Sequence, residues 1–169
     1  MLDKKVIFMG TPEFSVPILE SIVKSSYKVS CVYTQASKKS NRGQKLNVSP
    51  VYKKAESLKL TIRNPKNLNS EKEFEFIKKL NPDIVIVVAY GQLISKKFLD
   101  IPKEGFINIH ASLLPKWRGA APIQRSIMNL DIETGISIMK IIEDLDAGPV
   151  MKKIEVKIDE SITADDLSK

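Results

Sequence analysis

The stretch from Phe106 to Gln124, FINIHASLLPKWRGAAPIQ, carries the side chains best suited to chemistry. Asn108 and His110 lie two residues apart in a short apolar run. On a β-strand both side chains would leave the same face, with Cα atoms roughly 7 Å apart. An amide and an imidazole at the end of a buried strand are suited to act on a bound carbonyl group. A single histidine beside an asparagine is more often structural, so the pair taken alone favours a structural role.

Apolar runs and turn residues predict the elements that would position this pair. Strands are predicted at Lys5–Gly10, Val29–Thr34, Leu60–Arg63, Asp83–Ala89, Phe106–His110, Gly135–Ile142 and Met151–Ile158. Helices are predicted after the caps Thr11, Ser49, Ser70 and Ser161 or Thr163, and at 95–99 and 120–129. The polar segment 35–48 has no periodicity and is predicted to be a long loop. Strands alternating with helices are typical of an α/β fold with a mostly parallel sheet.

Several function classes are disfavoured. Pro12 stands where the second glycine of G-x-G-x-x-G would be, so we do not predict NAD or FAD. Cys31 is the only cysteine, which excludes an internal disulfide and a cysteine-cluster metal site. No run of about 18 apolar residues occurs, so we expect no membrane-spanning helix. We therefore expect a soluble protein of a reducing cytoplasm. None of the metal-ligand spacings is present either, so we predict no metal site.

The net charge of +7 is unevenly distributed. Between Glu20 and Glu56 there is no acidic residue, whereas Lys and Arg recur throughout that segment. Such a segment fits a polyanionic partner. A lysine-rich solvated surface fits the composition equally well.

Six segments, taken in order, resemble the methionyl-tRNA formyltransferase family: MGTPEFSVPIL, NRGQKLNVSPV, VVAYGQLI, INIHASLLPKWRGAAPIQRSI, TGISIM and DLDAGPV. The resemblance extends from Val6 to about Leu167. It implies a Rossmann-like formyltransferase fold, an open and mostly parallel sheet with helices on both faces. Members of the family add a C-terminal β-barrel domain, which this sequence lacks. We therefore expect residues 1–169 to form one catalytic domain, truncated at its C-terminal end.

The resemblance also implies a reaction, the transfer of a formyl group from 10-formyltetrahydrofolate to the α-amine of methionyl initiator tRNA. Asn108 would donate an N–H to the developing oxyanion. His110 would stabilise the same charge or move a proton, and Asp146 would orient His110 and relay the amine proton. These three residues are the predicted catalytic group. Asp144, two residues before Asp146, is interpreted as a solvated loop carboxylate.

The same resemblance implies two binding regions. The predicted folate contacts are Ser112, Leu113, Leu114, Pro115, Tyr90 and Gly91. The predicted tRNA contacts are Lys38, Lys39, Arg42 and Lys45, in a basic loop that would lie against the acceptor end. We expect a monomer whose partners are initiator Met-tRNA and the folate co-substrate.

Two alternatives to this function are kept. One is a formyltransferase that acts on a small amine, such as a nucleotide sugar or glycinamide ribonucleotide. The other is an inactive fragment that only binds folate or RNA. The WRGAAPIQ segment and the long basic loop favour tRNA over a small acceptor.

Overall fold

The computed structural model describes residues 4–40, 45–159 and 161–169. It divides into two compact units, Met1–Phe106 and Ile107–Lys169, and each is described by itself. No helix among these residues has the length and apolar character needed to cross a membrane.

The first unit is built on a parallel sheet. Its strands are β1 (Lys5–Gly10), β2 (Lys28–Tyr33), β3 (Lys38–Ser40), β4 (Lys45–Asn47), β5 (Ile62–Arg63) and β6 (Ile84–Val88). Its helices are α1 (Val16–Lys24), α2 (Pro50–Ser57), α3 (Glu71–Leu80) and α4 (Lys96–Leu99). The parallel strands follow the order β5-β2-β1-β6, whereas β3 and β4 form a separate antiparallel pair. Parallel strands joined through helices are the expected α/β arrangement.

The core of this unit follows the apolar pattern. Residues 6–9 of β1 are fully buried, as a strand covered on both faces requires. Helix α1 buries Val16, Leu19 and Ile22, which are three residues apart and so share one helix face. Cys31 on β2 is also fully buried, and burial raises the pKa of its thiol to about 12. It is therefore a small core residue, as the sequence predicts.

Most predicted helices and strands end within one or two residues of the observed bounds. The predicted cap at Ser49 is confirmed, because its side chain accepts the N–H of Tyr52 at 3.0 Å. The predicted cap at Thr11 is wrong, and a short 3-10 turn, Glu13–Ser15, precedes α1. The Thr11 hydroxyl donates instead to the carbonyl of Tyr90 at 2.8 Å. A contact distant in sequence has displaced a local one.

The segment predicted as an irregular loop contains the β3–β4 pair. Lys39 lies opposite Leu46, and Ser40 lies opposite Lys45. Residues 41–44 fall outside the described part of the chain. The strands are three residues long and lack an alternating apolar pattern, so periodicity gives no signal for them.

The second unit is built on an antiparallel sheet. Its strands are β7 (Phe106–His110), β8 (Glu133–Lys140) and β9 (Val150–Lys157), and its helices are α5 (Pro122–Met128) and α6 (Ala164–Leu167). The strand order is β7-β8-β9, and His110 lies opposite Ser137. All eight residues of β9 are exposed, more than the half-exposed strand that its alternation predicts.

A buried ionic cluster stabilises the first unit. The Glu73 carboxylate accepts two hydrogen bonds from Arg63, both 2.6 Å long, and one from the hydroxyl of Tyr33 at 2.9 Å. The Arg63 guanidinium also stacks on the ring of Phe76, 4.0 Å from its centroid. Burial alone would raise the pKa of Glu73, but the bonds from Arg63 and Tyr33 outweigh it, and the pKa is lowered. The charged form is therefore the one the fold stabilises.

We expect Glu73→Gln to lower the free energy of unfolding by about 2 kcal/mol at neutral pH, because Arg63 loses its charged partner. Since the folded-state pKa of Glu73 is lowered, this difference is present above the ordinary glutamate pKa of about 4.3. It shrinks as the pH falls through the lower folded-state value. Urea unfolding across pH measures it. Glu75→Gln, at an exposed site on the same helix, is the matched control; equal stability of the two variants would contradict the account.

Candidate active site

The three predicted catalytic side chains meet within the second unit. Asn108 and His110 lie on β7, and Asp146 lies in the loop between β8 and β9. The Asn108 amide donates to Asp146 Oδ1 at 3.2 Å. Asp146 Oδ2 lies 3.7 Å from Nδ1 of His110. The exposed fractions of the His110 and Asp146 side chains are 7% and 13%, so little solvent separates the two groups.

The strand β7 explains why the amide and the imidazole are neighbours. Residues two apart on a strand share a face, so Asn108 and His110 both reach the loop that carries Asp146. This loop is held against β8, where the N–H of Lys140 donates to the carbonyl of Pro149 at 3.0 Å. A Cβ on Gly148 would collide with the Lys140 carbonyl oxygen. Gly148 therefore permits the close approach of this loop to β8 that sets the position of Asp146.

Asp146 is fixed by the backbone as well as by side chains. Its Oδ2 accepts the N–H of Gly119 at 2.9 Å. Its own backbone is left-handed, with φ of 44°, a conformation uncommon outside glycine but tolerated by aspartate. Both carboxylate oxygens thus have donors, and this arrangement holds the charged group in one orientation.

His110 is held from the side opposite Asp146. Its Nε2 lies 3.0 Å from the carbonyl oxygen of Trp117. Because a carbonyl can only accept, Nε2 carries the hydrogen in this contact. In the neutral ring Nδ1 then has a free lone pair, and it faces the carboxylate of Asp146.

These contacts define what the cluster can do. The Asn108 amide nitrogen has two hydrogens, and Asp146 accepts one of them. The second can donate to an oxygen that gains negative charge. Nδ1 of His110 and the carboxylate of Asp146 are both proton acceptors, and they lie 3.7 Å apart. The cluster is therefore suited to attack by an amine on a carbonyl carbon.

The predicted folate segment follows β7 directly. Ser112 and Leu114 are buried, Leu113 is half-buried and Pro115 is exposed. The Ser137 hydroxyl accepts the N–H of Leu114 at 3.0 Å and donates to the carbonyl of Ser112 at 2.7 Å. The segment is thus tied to β8 through its main chain.

The other predicted folate contacts, Tyr90 and Gly91, lie in the first unit after β6. The ring of Tyr90 is only 1% exposed and belongs to the core. Gly91 has φ of +82°, and its carbonyl accepts the Gln35 side-chain amide at 3.0 Å. A Cβ on Gly91 would collide with that amide. Of the two positions only Gly91 is exposed, so the tyrosine ring is not available to a ligand.

The predicted tRNA contacts lie on the β3–β4 pair or beyond it. Lys38 and Lys39 are on β3 and Lys45 is on β4. Arg42 lies outside the described residues. Asp144 is exposed, which agrees with its interpretation as a solvated carboxylate.

Three contacts were not predicted from sequence. They are the carbonyl of Trp117, the N–H of Gly119 and the carboxylate of Asp131, which accepts the Trp117 indole N–H at 2.7 Å. Two of the three are main-chain groups, a carbonyl that every residue has and an N–H that every residue except proline has. Among the described residues, no group of three His, Cys, Asp or Glu side chains is placed to hold a metal ion.

Solved structures of known proteins share the fold of this chain. Phosphoribosylglycinamide formyltransferase from Streptococcus pneumoniae matches with a TM-score of 0.77 and 19% identity, over 99% of this chain and 89% of that one. A formyltetrahydrofolate deformylase from Pseudomonas syringae matches with a TM-score of 0.75 and 19% identity, over 98% and 55%. At this identity the likeness concerns the fold alone. It confirms the predicted formyltransferase fold, an open and mostly parallel sheet with helices.

The family model described as formyl transferase matches residues 4–169, and the chain belongs to that family. The methionyl-tRNA formyltransferase of Pelagibacter ubique is 58% identical over 168 residues, which are 99% of this chain and 54% of that protein. The methionyl-tRNA formyltransferase of Mesorhizobium japonicum is 51% identical over 164 residues, 96% and 52%. The predicted resemblance is confirmed. The chain spans about half the length of the curated relatives it matches.

We expect Ser137→Ala to loosen the segment after His110, because Leu114 N–H and Ser112 C=O lose a buried partner. Hydrogen exchange at the Leu114 amide should accelerate roughly tenfold. Ser126→Ala, which removes a buried hydroxyl bonded within α5, is the matched control. Unchanged protection of Leu114 in the Ser137 variant would show that this hydroxyl does not hold the segment.

Proposed function

We propose that this protein transfers a formyl group from 10-formyltetrahydrofolate to the α-amine of methionyl initiator tRNA. The observation that carries the proposal is the contact of Asn108, His110 and Asp146 around one nearly buried point. Relatives above 50% identity that are named methionyl-tRNA formyltransferase support the choice of acceptor. The name of the deformylase with the same fold supports a formylated folate as donor.

The reaction can be followed atom by atom. The amine nitrogen of the acceptor bonds to the formyl carbon, whose oxygen gains negative charge. The free N–H of Asn108 donates to that oxygen. The attacking nitrogen loses a proton to the acceptors formed by His110 Nδ1 and Asp146. The bond from the formyl carbon to N10 of the folate then breaks, and N10 takes up a proton, so no oxidant or reductant is consumed.

The binding residues follow the same proposal. The folate contacts the segment Ser112–Pro115, which begins two residues after His110 and is tied to β8 by Ser137. Tyr90 and Gly91 stay predicted folate contacts. Lys38, Lys39, Arg42 and Lys45 contact the phosphates of the tRNA, since a run without acidic residues suits a polyanion. The protein acts as a monomer in the cytoplasm and needs no metal.

The acceptor is tested by direct competition. The chain is given 10-formyltetrahydrofolate together with methionyl initiator tRNA and glycinamide ribonucleotide, and each formylated product is quantified. Transfer to the tRNA is the expected result. Transfer to the ribonucleotide instead would overturn the proposed acceptor. No transfer to either, from protein that binds the folate, would overturn the activity for this chain.

We expect Asn108→Ala to slow formyl transfer about 10²–10³-fold, because a donor to the oxyanion is lost. His110→Ala and Asp146→Ala should be crippled to a similar degree, since each removes a proton acceptor. Folate affinity, measured by fluorescence titration, should change little in all three variants. Asp144→Ala, which removes an exposed carboxylate from the same loop, should retain near-wild-type turnover. A wild-type rate in any of the three would remove that residue from the mechanism.

A further inference from the structure

One carboxylate side chain outside the predicted group is shielded from solvent against expectation. The Asp131 side chain is only 6% exposed, whereas its neighbours Leu130 and Ile132 are 86% and 82% exposed. Shielding a carboxylate while exposing the apolar residues beside it costs free energy unless the carboxylate has specific hydrogen-bond partners. The segment is therefore arranged around what Asp131 contacts.

The partners of Asp131 are all donors. Its Oδ2 accepts the indole N–H of Trp117 at 2.7 Å. Its Oδ1 accepts the Asn129 amide at 2.8 Å and lies 3.4 Å from Nζ of Lys116. The bonds from Asn129 and Trp117 lower the pKa of Asp131 below its ordinary value. The residue is thus a charged acceptor that holds the indole at short distance.

The held residue, Trp117, has an unusual backbone. Its φ is +57°, a left-handed conformation that is rare for a bulky side chain. Such a conformation persists when the surroundings determine it from several sides. The indole bond to Asp131 fixes one side, and the carbonyl contact with His110 Nε2 at 3.0 Å fixes the other. Loss of the indole hydrogen bond would therefore also move the Trp117 carbonyl.

The carbonyl in turn selects the hydrogen position on His110. A neutral imidazole has one N–H, either at Nε2 or at Nδ1. With the Trp117 oxygen 3.0 Å away, only the Nε2–H form makes a hydrogen bond there. The Nδ1–H form would instead place the lone pair of Nε2 against the Trp117 oxygen. Without the Trp117 carbonyl, the carboxylate of Asp146 would favour the tautomer with its hydrogen on Nδ1. In that tautomer Nδ1 could no longer accept a proton.

We propose that Asp131 is a positioning residue for His110: through the indole of Trp117 it fixes the carbonyl that keeps the hydrogen on Nε2 and leaves Nδ1 free toward Asp146. The same logic of a carboxylate that orients an imidazole recurs in other enzymes, here with a tryptophan between the two. The consequence for turnover rests on the proposed formyl transfer. The hydrogen position itself does not.

The chain is well suited to the test, because it contains one histidine and one tryptophan. Protein labelled with ¹⁵N-histidine reports which nitrogen of His110 carries the hydrogen, without overlap from other residues. Asp131→Ala and Trp117→Phe break the same hydrogen bond from its two ends. Wild-type protein should show the Nε2–H form of the neutral ring, and both variants should show a mixture of the two forms. Urea unfolding establishes that each variant is folded.

Two further variants separate positioning from general damage. Asp131→Asn keeps an acceptor oxygen and should retain more of the Nε2–H form than Asp131→Ala. Glu133→Ala, at an exposed acid two residues away, should leave the ring unchanged. In the formyl-transfer assay, Asp131→Ala and Trp117→Phe should lower kcat about tenfold with KM for the folate donor unchanged.

The outcomes distinguish this inference from the proposed function. A pure Nε2–H form in both Asp131→Ala and Trp117→Phe would overturn the positioning role. A shifted hydrogen with unchanged kcat would overturn its catalytic consequence. If wild-type protein transfers no formyl group, the proposed function fails, and the ¹⁵N experiment still decides whether Asp131 positions His110.

Discussion

The site depends on one carboxylate that accepts from two directions. Asp146 receives an amide hydrogen from Asn108 on β7 and a backbone hydrogen from Gly119 in the loop after β7. Because the two donors belong to different parts of the chain, a single side chain joins the strand, the following loop and its own loop. A charged hydrogen bond is stronger and more directional than a neutral one. The geometry around His110 is therefore set by electrostatics as much as by packing.

The sequence predicted the parts of the site that use side-chain periodicity. Strand β7 was predicted with its observed bounds, because an apolar run is a strong signal and its alternation places Asn108 beside His110. Asp146 was found only through the family resemblance, since no local pattern joins it to β7. The role of Trp117 could not be read at all, because its carbonyl is common to every residue and its positive φ is set by tertiary contacts.

The errors in the fold have a similar physical cause. Thr11 has the residue type and position of a helix cap, but its hydroxyl bonds to Tyr90, far away in sequence. Asp131, between Leu130 and Ile132, resembles an ordinary surface acid, yet its side chain is shielded whereas both neighbours are exposed. In both cases the polar side chain forms a hydrogen bond with a residue that is distant in sequence. Apolar patterns predicted the strands and helices well, because the burial of an apolar side chain depends on many neighbours together. A hydrogen bond depends on one particular partner, which the local pattern does not reveal.

The fully exposed strand β9 has a consequence for the protein in solution. In the described part of the chain it is the last strand of its sheet, so its outer backbone groups can template the addition of another extended chain. Its exposed apolar side chains, Met151 and Ile154, would favour such pairing. Lys152, Lys153 and Lys157 lie on the same strand, and two copies aligned edge to edge would bring like charges together. We expect these lysines to disfavour self-association through this edge of the sheet.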